Sequence, residues 1–537
     1  MRFRWRSRSS TPSPAHPPAR RTWPPCASIS SSPQSTVSAE HPDTVGRLLV
    51  RQAAARGEHP LLICDHDRLS YRDAADRSAE LARGLVALGA GKGTGVGVLH
   101  PNGAAFVVAM LAAARIGAVV VPFSTFATGP ELQQQLVHSD TEILLAARAF
   151  RGHDYADRLA GISAPWLRHL VFDNRIGEVA GEGPVSALED DVDGCDPLAI
   201  IYTSGSTGTP KGAVHTHEAL LGHQRNLNEI RRLTAGDRLF CNSPFFWIGG
   251  FAFGLLATLA AGSTLVCSTS ADPGATLDLL EAVAPTVTNG FAAGVAHLAR
   301  HPGFPERDLS SMRRGNLYPI MAPEARPRDP ELRHNMLGMT EGGSVVLLSG
   351  DETDQPEHRR GSFGQPAPGF QARVIDPDSG ETATVGELLL RGPYLMQRYH
   401  KLSREECFDP DGWFHTGDLV RVDGDGFFYF LGRRGSLIKT AGANVSPIEV
   451  EKAITTVSGL AAHVVGLPDP ERGEVIAAVV VVPDGEALAP PPLREMLEPV
   501  LSAYKIPRRI LAIRGTDVPL LSSGKVDIRR LVELFDA

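Results

Sequence analysis

The sequence predicts an α/β protein with a large N-terminal domain of layered, mostly parallel sheets and helices, followed by a small C-terminal α+β domain. Three observations point there. Strand-like and helix-like segments alternate between Leu69 and Val287, the pattern of parallel sheets covered by helices. The texture changes past Arg421, where a turn-rich stretch precedes an aromatic strand and a fully capped helix. A length of 537 residues is also enough for two to four domains at about 150 residues each.

The alternation begins at Leu69, where a strand leads into a helix bearing Leu81, Leu85 and Leu88 at helical spacing, and Gly89 and Gly91 stop it. Ala104 to Phe123 approaches a membrane span in length, but Arg115 and Gly117 interrupt it and Pro122 ends it. It reads as a buried helix followed by a short strand, Ile116 to Val121. A third helix covers Pro130 to His138, and the alternation returns at Leu198 to Tyr202, Ala252 to Val266 and Leu277 to Val287. Asp65, His66 and Asp67 read as a polar turn between strands.

Further on, Val422 to Gly426 form a turn before the strand Phe427 to Leu431. Ser446-Pro447-Ile448-Glu449 then combines an N-cap serine, a first-turn proline and a glutamate three residues on, a complete capping box. The helix it opens starts a unit of about 100 residues, a normal domain size. Gly435 marks the boundary, giving a large domain over 40–434 and a small one over 435–537.

The 53 Lys and Arg against 61 Asp and Glu give a net charge of −8. Arg2, Arg4, Arg6, Arg8, Arg20 and Arg21 are the only charged residues before Glu40, so removing those six leaves −14 on the remainder. Such an acidic body is poorly matched to nucleic acid or to an anionic membrane surface. Residues 1–39, rich in Arg, Ser and Pro, have no apolar core for a secretory signal, and are expected to be a disordered tail, a product of a mis-assigned start or an organellar transit peptide. None of the six cysteines stands at the spacing of a metal knuckle or redox pair, which suits a reducing, cytoplasmic setting.

The segment richest in chemistry is Tyr202-Thr203-Ser204-Gly205-Ser206-Thr207-Gly208-Thr209-Pro210-Lys211-Gly212, directly after an apolar strand. Its glycines let backbone N–H groups turn toward an anion, its hydroxyls add donors, and Lys211 adds charge. Pro210 stands where a Walker loop requires glycine, so the loop is phosphate-binding but not of that type. His215 and His217 lack a third ligand at helical or knuckle spacing and make a weak metal pair.

With its companions, this loop resembles that of the adenylate-forming superfamily, which includes acyl-CoA synthetases, aryl-CoA ligases, luciferases and peptide-synthetase adenylation domains. The likeness runs from about Thr44 to the C-terminus. It implies that the loop, through Thr203, Ser204, Gly205, Ser206, Thr207, Gly208 and Lys211, holds the phosphates of ATP. Leu337-Gly338-Met339-Thr340-Glu341 resembles the motif in which the threonine touches the α-phosphate and the glutamate binds Mg²⁺, with Thr203 as a second metal contact. Leu337 stands where an aromatic residue usually stacks on adenine. Phe414 to Asp418 resembles the motif whose aspartate takes the ribose hydroxyls, and Gly432-Arg433 the one whose arginine contacts ribose or phosphate. Gly435 occupies the position of the family's hinge.

Lys439 to Asn444 resembles the loop that lines the pantetheine tunnel, bringing Gly442 to the thiol path, while Pro519 to Lys525 resembles the motif whose lysine bridges carboxylate and α-phosphate. Lys525, Thr340, Glu341 and Lys439 are thus the implied catalytic residues. Trp247, Gly249 and Gly338 are the implied substrate-pocket residues, although the aromatic cluster at Pro244 to Gly250 reads equally as core. The segment Gly315 to Arg333 lacks the family's Gly-Gly-Ala turn.

The resemblance implies an ATP-, Mg²⁺- and coenzyme A-dependent acid–thiol ligase, working through an acyl-adenylate and turning a mobile small domain between half-reactions. No aspartate lies between Phe245 and Phe251 to hold an ammonium group, so a hydrophobic fatty, alicyclic or aromatic acid is expected as small-molecule substrate. With no carrier domain before Ala537, CoA is the expected acceptor. The alternatives are loading of a separate acyl carrier protein, or a non-catalytic nucleotide or acyl sensor. No nucleic acid or membrane span is implied, and a homo-oligomer is left open.

Overall fold

The computed structural model describes residues 44–537, apart from 178, 204–210, 435–437, 441–442, 446, 471, 484–491, 502–504, 522–524 and 537. Apolar β-rich segments build two sheets in its first part. One has six strands in the order Arg314–Gly315, Val287–Asn289, Arg238–Cys241, Thr264–Cys267, Pro60–Cys64, Asp67–Ser70, parallel except for the last pair. The other has seven, in the order Arg398–Tyr399, Lys211–Thr216, Pro197–Thr203, Val119–Pro122, Gly95–Leu99, Ile143–Ala146, His169–Phe172. It is parallel from Pro197–Thr203 onward and antiparallel at its first two strands.

The helices obey their local signals. Ser70 caps Tyr71–Ala87 reciprocally with Asp73, and Thr128 caps Gly129–Ser139 with Glu131. Ala104–Arg115 is buried on nearly every side, with Arg115 paired to Glu189 and donating to Ala75 O at 3.0 Å. The apolar run is therefore a core helix, and no helix among the described residues is long and apolar enough to cross a membrane. Its following strand starts at Val119 rather than at the expected Ile116, because Ile116 caps the helix and Gly117 turns with φ +67°. Asp65, at φ +52°, forms the expected polar turn and accepts from Ser268 and Thr269.

From Leu337 the chain departs from the parallel pattern. Leu337–Met339, Ser344–Leu348 and Gln365–Pro366 form one antiparallel sheet, and Gln371–Ile375, Val385–Arg391, Phe414–Val422 and Phe428–Arg433 form another. Short polar turns connect several of these strands, as where Asp423 Oδ1 accepts from the backbone N–H groups of Asp425 and Phe427.

The smaller C-terminal domain has a core of its own. Helix Pro447–Ser458 buries Val450 and Ile454 against a sheet that includes Ala461–Asp469, Gly473–Val482 and Arg509–Arg514. The expected capping serine, Ser446, and the expected hinge, Gly435, lie outside the described residues.

Candidate active site

The site is built first on a hairpin. Pro197–Thr203 and Lys211–Thr216 pair with Thr203 opposite Lys211 and Tyr202 opposite Gly212, so these residues bracket the loop. Ser204, Gly205, Ser206, Thr207 and Gly208 lie outside the described residues. Gly212 is needed there, since a Cβ would sit 2.5 Å from Ile200 Cγ2. Tyr202 is anchored by a 2.8 Å hydrogen bond between its hydroxyl and His138 Nδ1.

Thr340 and Glu341 follow the strand Leu337–Met339 at a tight turn in which Gly343 N donates to Thr340 O and has φ +69°. Both backbone carbonyls are pinned, Thr340 O by His215 Nε2 at 2.8 Å and Glu341 O by Met396 N at 2.8 Å. The Glu341 side chain is buried, and its Oε1 accepts from the Tyr399 hydroxyl at 2.6 Å. Oε2 accepts no hydrogen bond from the described residues. Lys211 Nζ lies 5.4 Å from the centroid of the same Tyr399 ring.

Asp418 and Arg433 stand directly opposite each other on antiparallel strands, and Arg433 Nε donates to Asp418 Oδ1 at 2.8 Å. Burial raises the Asp418 pKa above the ordinary carboxylate value, the Glu341 and Glu387 charges raise it further, and Arg433 opposes them. Lys525 comes to the same place from the small domain. Leu521 N donates to Lys525 O at 2.7 Å and Asp527 N to Pro519 O at 2.9 Å, which closes the base of its turn. Lys525 is exposed, yet the partial desolvation of its ammonium lowers its pKa, Arg433 lowers it further, and Glu341 and Asp418 oppose. The structure thus brings Thr203, Lys211, Thr340, Glu341, Asp418, Arg433 and Lys525 to one region. Lys439 belongs to the strand Ile438–Thr440, opposite Asn444, while Gly442 falls outside the described residues.

Trp247 packs in an aromatic group with Phe246, Phe126 and Phe291, at ring-centroid distances of 5.5, 6.4 and 5.6 Å. Phe126 and Phe291 are 41% and 54% exposed, so this group is only partly core. Gly249 opens a π-helical segment, Gly249–Leu256, while Gly338 lies exposed on the strand before Thr340. Two asparagines hold the segment carrying Phe291. Asn242 donates to Phe291 O and accepts from Phe291 N, both at 2.9 Å, while Asn316 donates to Gly290 O at 2.8 Å and accepts from its N at 3.1 Å. Asn316 lies in the segment without the Gly-Gly-Ala turn. Nothing in the sequence marks Tyr399, Phe126, Phe291 or this clamp.

His215 and His217 are fully buried, each with a backbone partner, and burial lowers them to about 4 and about 3. They serve structure. No group of three His, Cys, Asp or Glu among the described residues could hold a metal alone. A single carboxylate with a spare oxygen instead suits Mg²⁺ arriving with substrate phosphates.

The chain matches the family model described as AMP-binding enzyme over residues 49–400, and that of the AMP-binding enzyme C-terminal domain over 449–525. It is 30% identical to indoleacetate–CoA ligase of Aromatoleum aromaticum, over 86% of this chain and 93% of that protein. It is 34% identical to feruloyl-CoA synthase of an Amycolatopsis species, over 86% of this chain and 94% of that one. The crystal structure of the anthranilate CoA ligase AuaEII in complex with anthranoyl-AMP superposes with a TM-score of 0.77 at 23% identity, covering 92% of this chain and 98% of that one, which shows a shared fold. The chain therefore belongs to the AMP-binding, adenylate-forming enzymes and is of their acyl-CoA synthetase type.

Proposed function

We propose that the enzyme ligates a ring-bearing, hydrophobic carboxylic acid to coenzyme A in two half-reactions, using one cleft between its large domain (40–434) and its small domain (435–537). The observation that carries this reading is that Lys525 lies within electrostatic reach of Glu341, Asp418 and Arg433, of which Asp418 and Arg433 are paired. A carboxylic acid is already ionised at neutral pH and needs no general base. The site must instead align it with the α-phosphorus of ATP and balance charge as pyrophosphate leaves. Lys525 suits the bridge between carboxylate and α-phosphate. Thr203 to Gly208 with Lys211 suit the departing phosphates, and Asp418, a two-oxygen acceptor, suits the ribose hydroxyls, with Arg433 beside it. Glu341, with Thr340 and Thr203, would hold Mg²⁺, which supplies neutralisation of phosphate charge.

The carboxylate oxygen bonds to the α-phosphorus as the bond to pyrophosphate breaks. The small domain then turns about Gly435, withdrawing Lys525 and presenting the loop from Lys439 through Gly442. The CoA thiol attacks the acyl carbon and AMP departs. The partly exposed rings around Trp247, together with relatives named for indoleacetate and feruloyl substrates, support an aromatic acid. Cys64, Cys195, Cys241, Cys267 and Cys407, the described cysteines, form no disulfide, which favours the cytoplasm.

The test is acid-dependent exchange of labelled pyrophosphate into ATP across aromatic, alicyclic, aliphatic and amino acids, followed by acyl-CoA detection. Exchange and thioester formation with aromatic acids are expected. Exchange without thioester, with product appearing only on a phosphopantetheinylated carrier, would replace CoA with a carrier protein. Silence across the panel despite ATP binding would leave a sensor.

A further inference from the structure

We infer that Tyr399 is a positioning residue that sets Glu341 for the cation and supports Lys211 for the phosphates, joining the two halves of the pyrophosphate-releasing machinery. The inference rests on the roles proposed for Glu341 and Lys211. Its basis is a short segment bonded on both sides. Met396 N donates to Glu341 O at 2.8 Å, while Gln397 N and His400 N donate to Val214 O and Gly212 O, at 2.8 and 2.7 Å, on the strand that Lys211 opens. Tyr399 sits opposite Ala213 in that pairing, two residues from Lys211.

The side chain repeats this bridge. Its hydroxyl donates to Glu341 Oε1 at 2.6 Å, and its ring lies 5.4 Å from Lys211 Nζ. A carboxylate with one oxygen held by a donor presents the other in a fixed direction, which is how outer partners orient metal ligands. The ring offers Lys211 its negative face without neutralising it, so the ammonium keeps its charge for phosphate. On a third side, Phe414, which begins the strand leading to Asp418, packs edge-on at 6.5 Å.

The test uses the full-length enzyme with Tyr399→Phe, Tyr399→Leu and Glu341→Gln. Binding of Mn²⁺ in the presence of ATP and absence of acid is followed by electron paramagnetic resonance, and ATP binding without metal by calorimetry. Tyr399→Phe should weaken Mn²⁺ binding about tenfold, leaving metal-free ATP binding and the KM for the acid unchanged. Tyr399→Leu should show the same metal defect and also bind metal-free ATP about threefold more weakly, because the face beneath Lys211 is gone. Wild-type Mn²⁺ affinity in Tyr399→Phe alongside a defect in Glu341→Gln would overturn the role of Tyr399 alone. Wild-type affinity in Glu341→Gln would remove the metal assignment of Glu341, and the inference with it.

Discussion

In the proposed mechanism Lys525 is the residue whose charge adenylation can least spare, and its surroundings make that charge conditional. Replacing it with alanine removes the only cation proposed to touch both reacting groups, so acid-dependent pyrophosphate exchange should fall about 10³-fold, the scale of losing a preorganised charge-stabilising group. Thiolysis of supplied acyl-AMP should stay within about threefold of wild type, because the small domain is proposed to withdraw Lys525 before that step. Equal loss in both half-reactions would refute the division. A pH profile adds a second check. Burial and Arg433 favour the neutral amine, so the adenylation rate should decline as pH rises through a value below the ordinary lysine value of 10.5. Thiolysis of supplied acyl-AMP should lack that limb. Lys525, Glu341, Asp418 and Arg433 were legible because each lies in a compact motif. Tyr399 was not, because its importance comes from pairing with a strand nearly two hundred positions earlier in the chain.

Among elements, the helices and parallel strands of the first half were readable because burial on one or both faces writes a continuous apolar pattern. The antiparallel sheets after Leu337 were harder. Two of their strands, Leu337–Met339 and Gln365–Pro366, are only three and two residues long, and the pairings of others carry register shifts that break the period-2 pattern. The clamp on Gly290–Phe291 was also hidden, since it joins side chains from Asn242 and Asn316 through space. Gly290 has φ +142° and no room for a Cβ, which would lie 1.7 Å from Asn242 Oδ1, so the clamped geometry requires glycine there. If the acid binds at Trp247 as proposed, Phe291, held by its hydrogen bonds with Asn242 and 5.6 Å from that ring, forms one wall of its pocket. Phe291→Ala should raise the KM for a flat aromatic acid about tenfold, with kcat within about threefold, and admit bulkier ring systems. An unchanged acid profile would place the pocket elsewhere.

At the scale of the whole molecule, three neutral histidines connect parts of the chain far apart in sequence. His217 Nδ1 accepts from Val45 N at 3.2 Å, tying the N-terminal helix to the helix that His217 begins. His215 and His223 donate through Nε2, at 2.8 Å, to Thr340 O and Val345 O, joining the parallel sheet and its helix to the antiparallel region. Protonation would cost His217 its acceptor, turning Val45 N from partner into opposing donor, and would place charge in a core with no carboxylate bonded to these rings. Burial accordingly lowers His215 and His223 to about 4 and His217 to about 3. Unfolded, each would titrate near 6.5, so the unfolded chain binds more protons below that pH and stability must fall as the solution is acidified. The three together should link unfolding to uptake of nearly three protons, a slope of about 4 kcal/mol per pH unit, only around pH 5 to 5.5, and to roughly half to two-thirds of that at pH 6.5 and pH 4. Asp418 and Glu451, both raised by burial, act in the opposite direction and soften the slope at its acid end. Urea unfolding at pH 7.5, 6.5, 5.5 and 4.5 would measure it. A flat stability curve from pH 6.5 to 5 would mean that these histidines accept protons in the folded enzyme, and that the joints they form are not the neutral hydrogen bonds described.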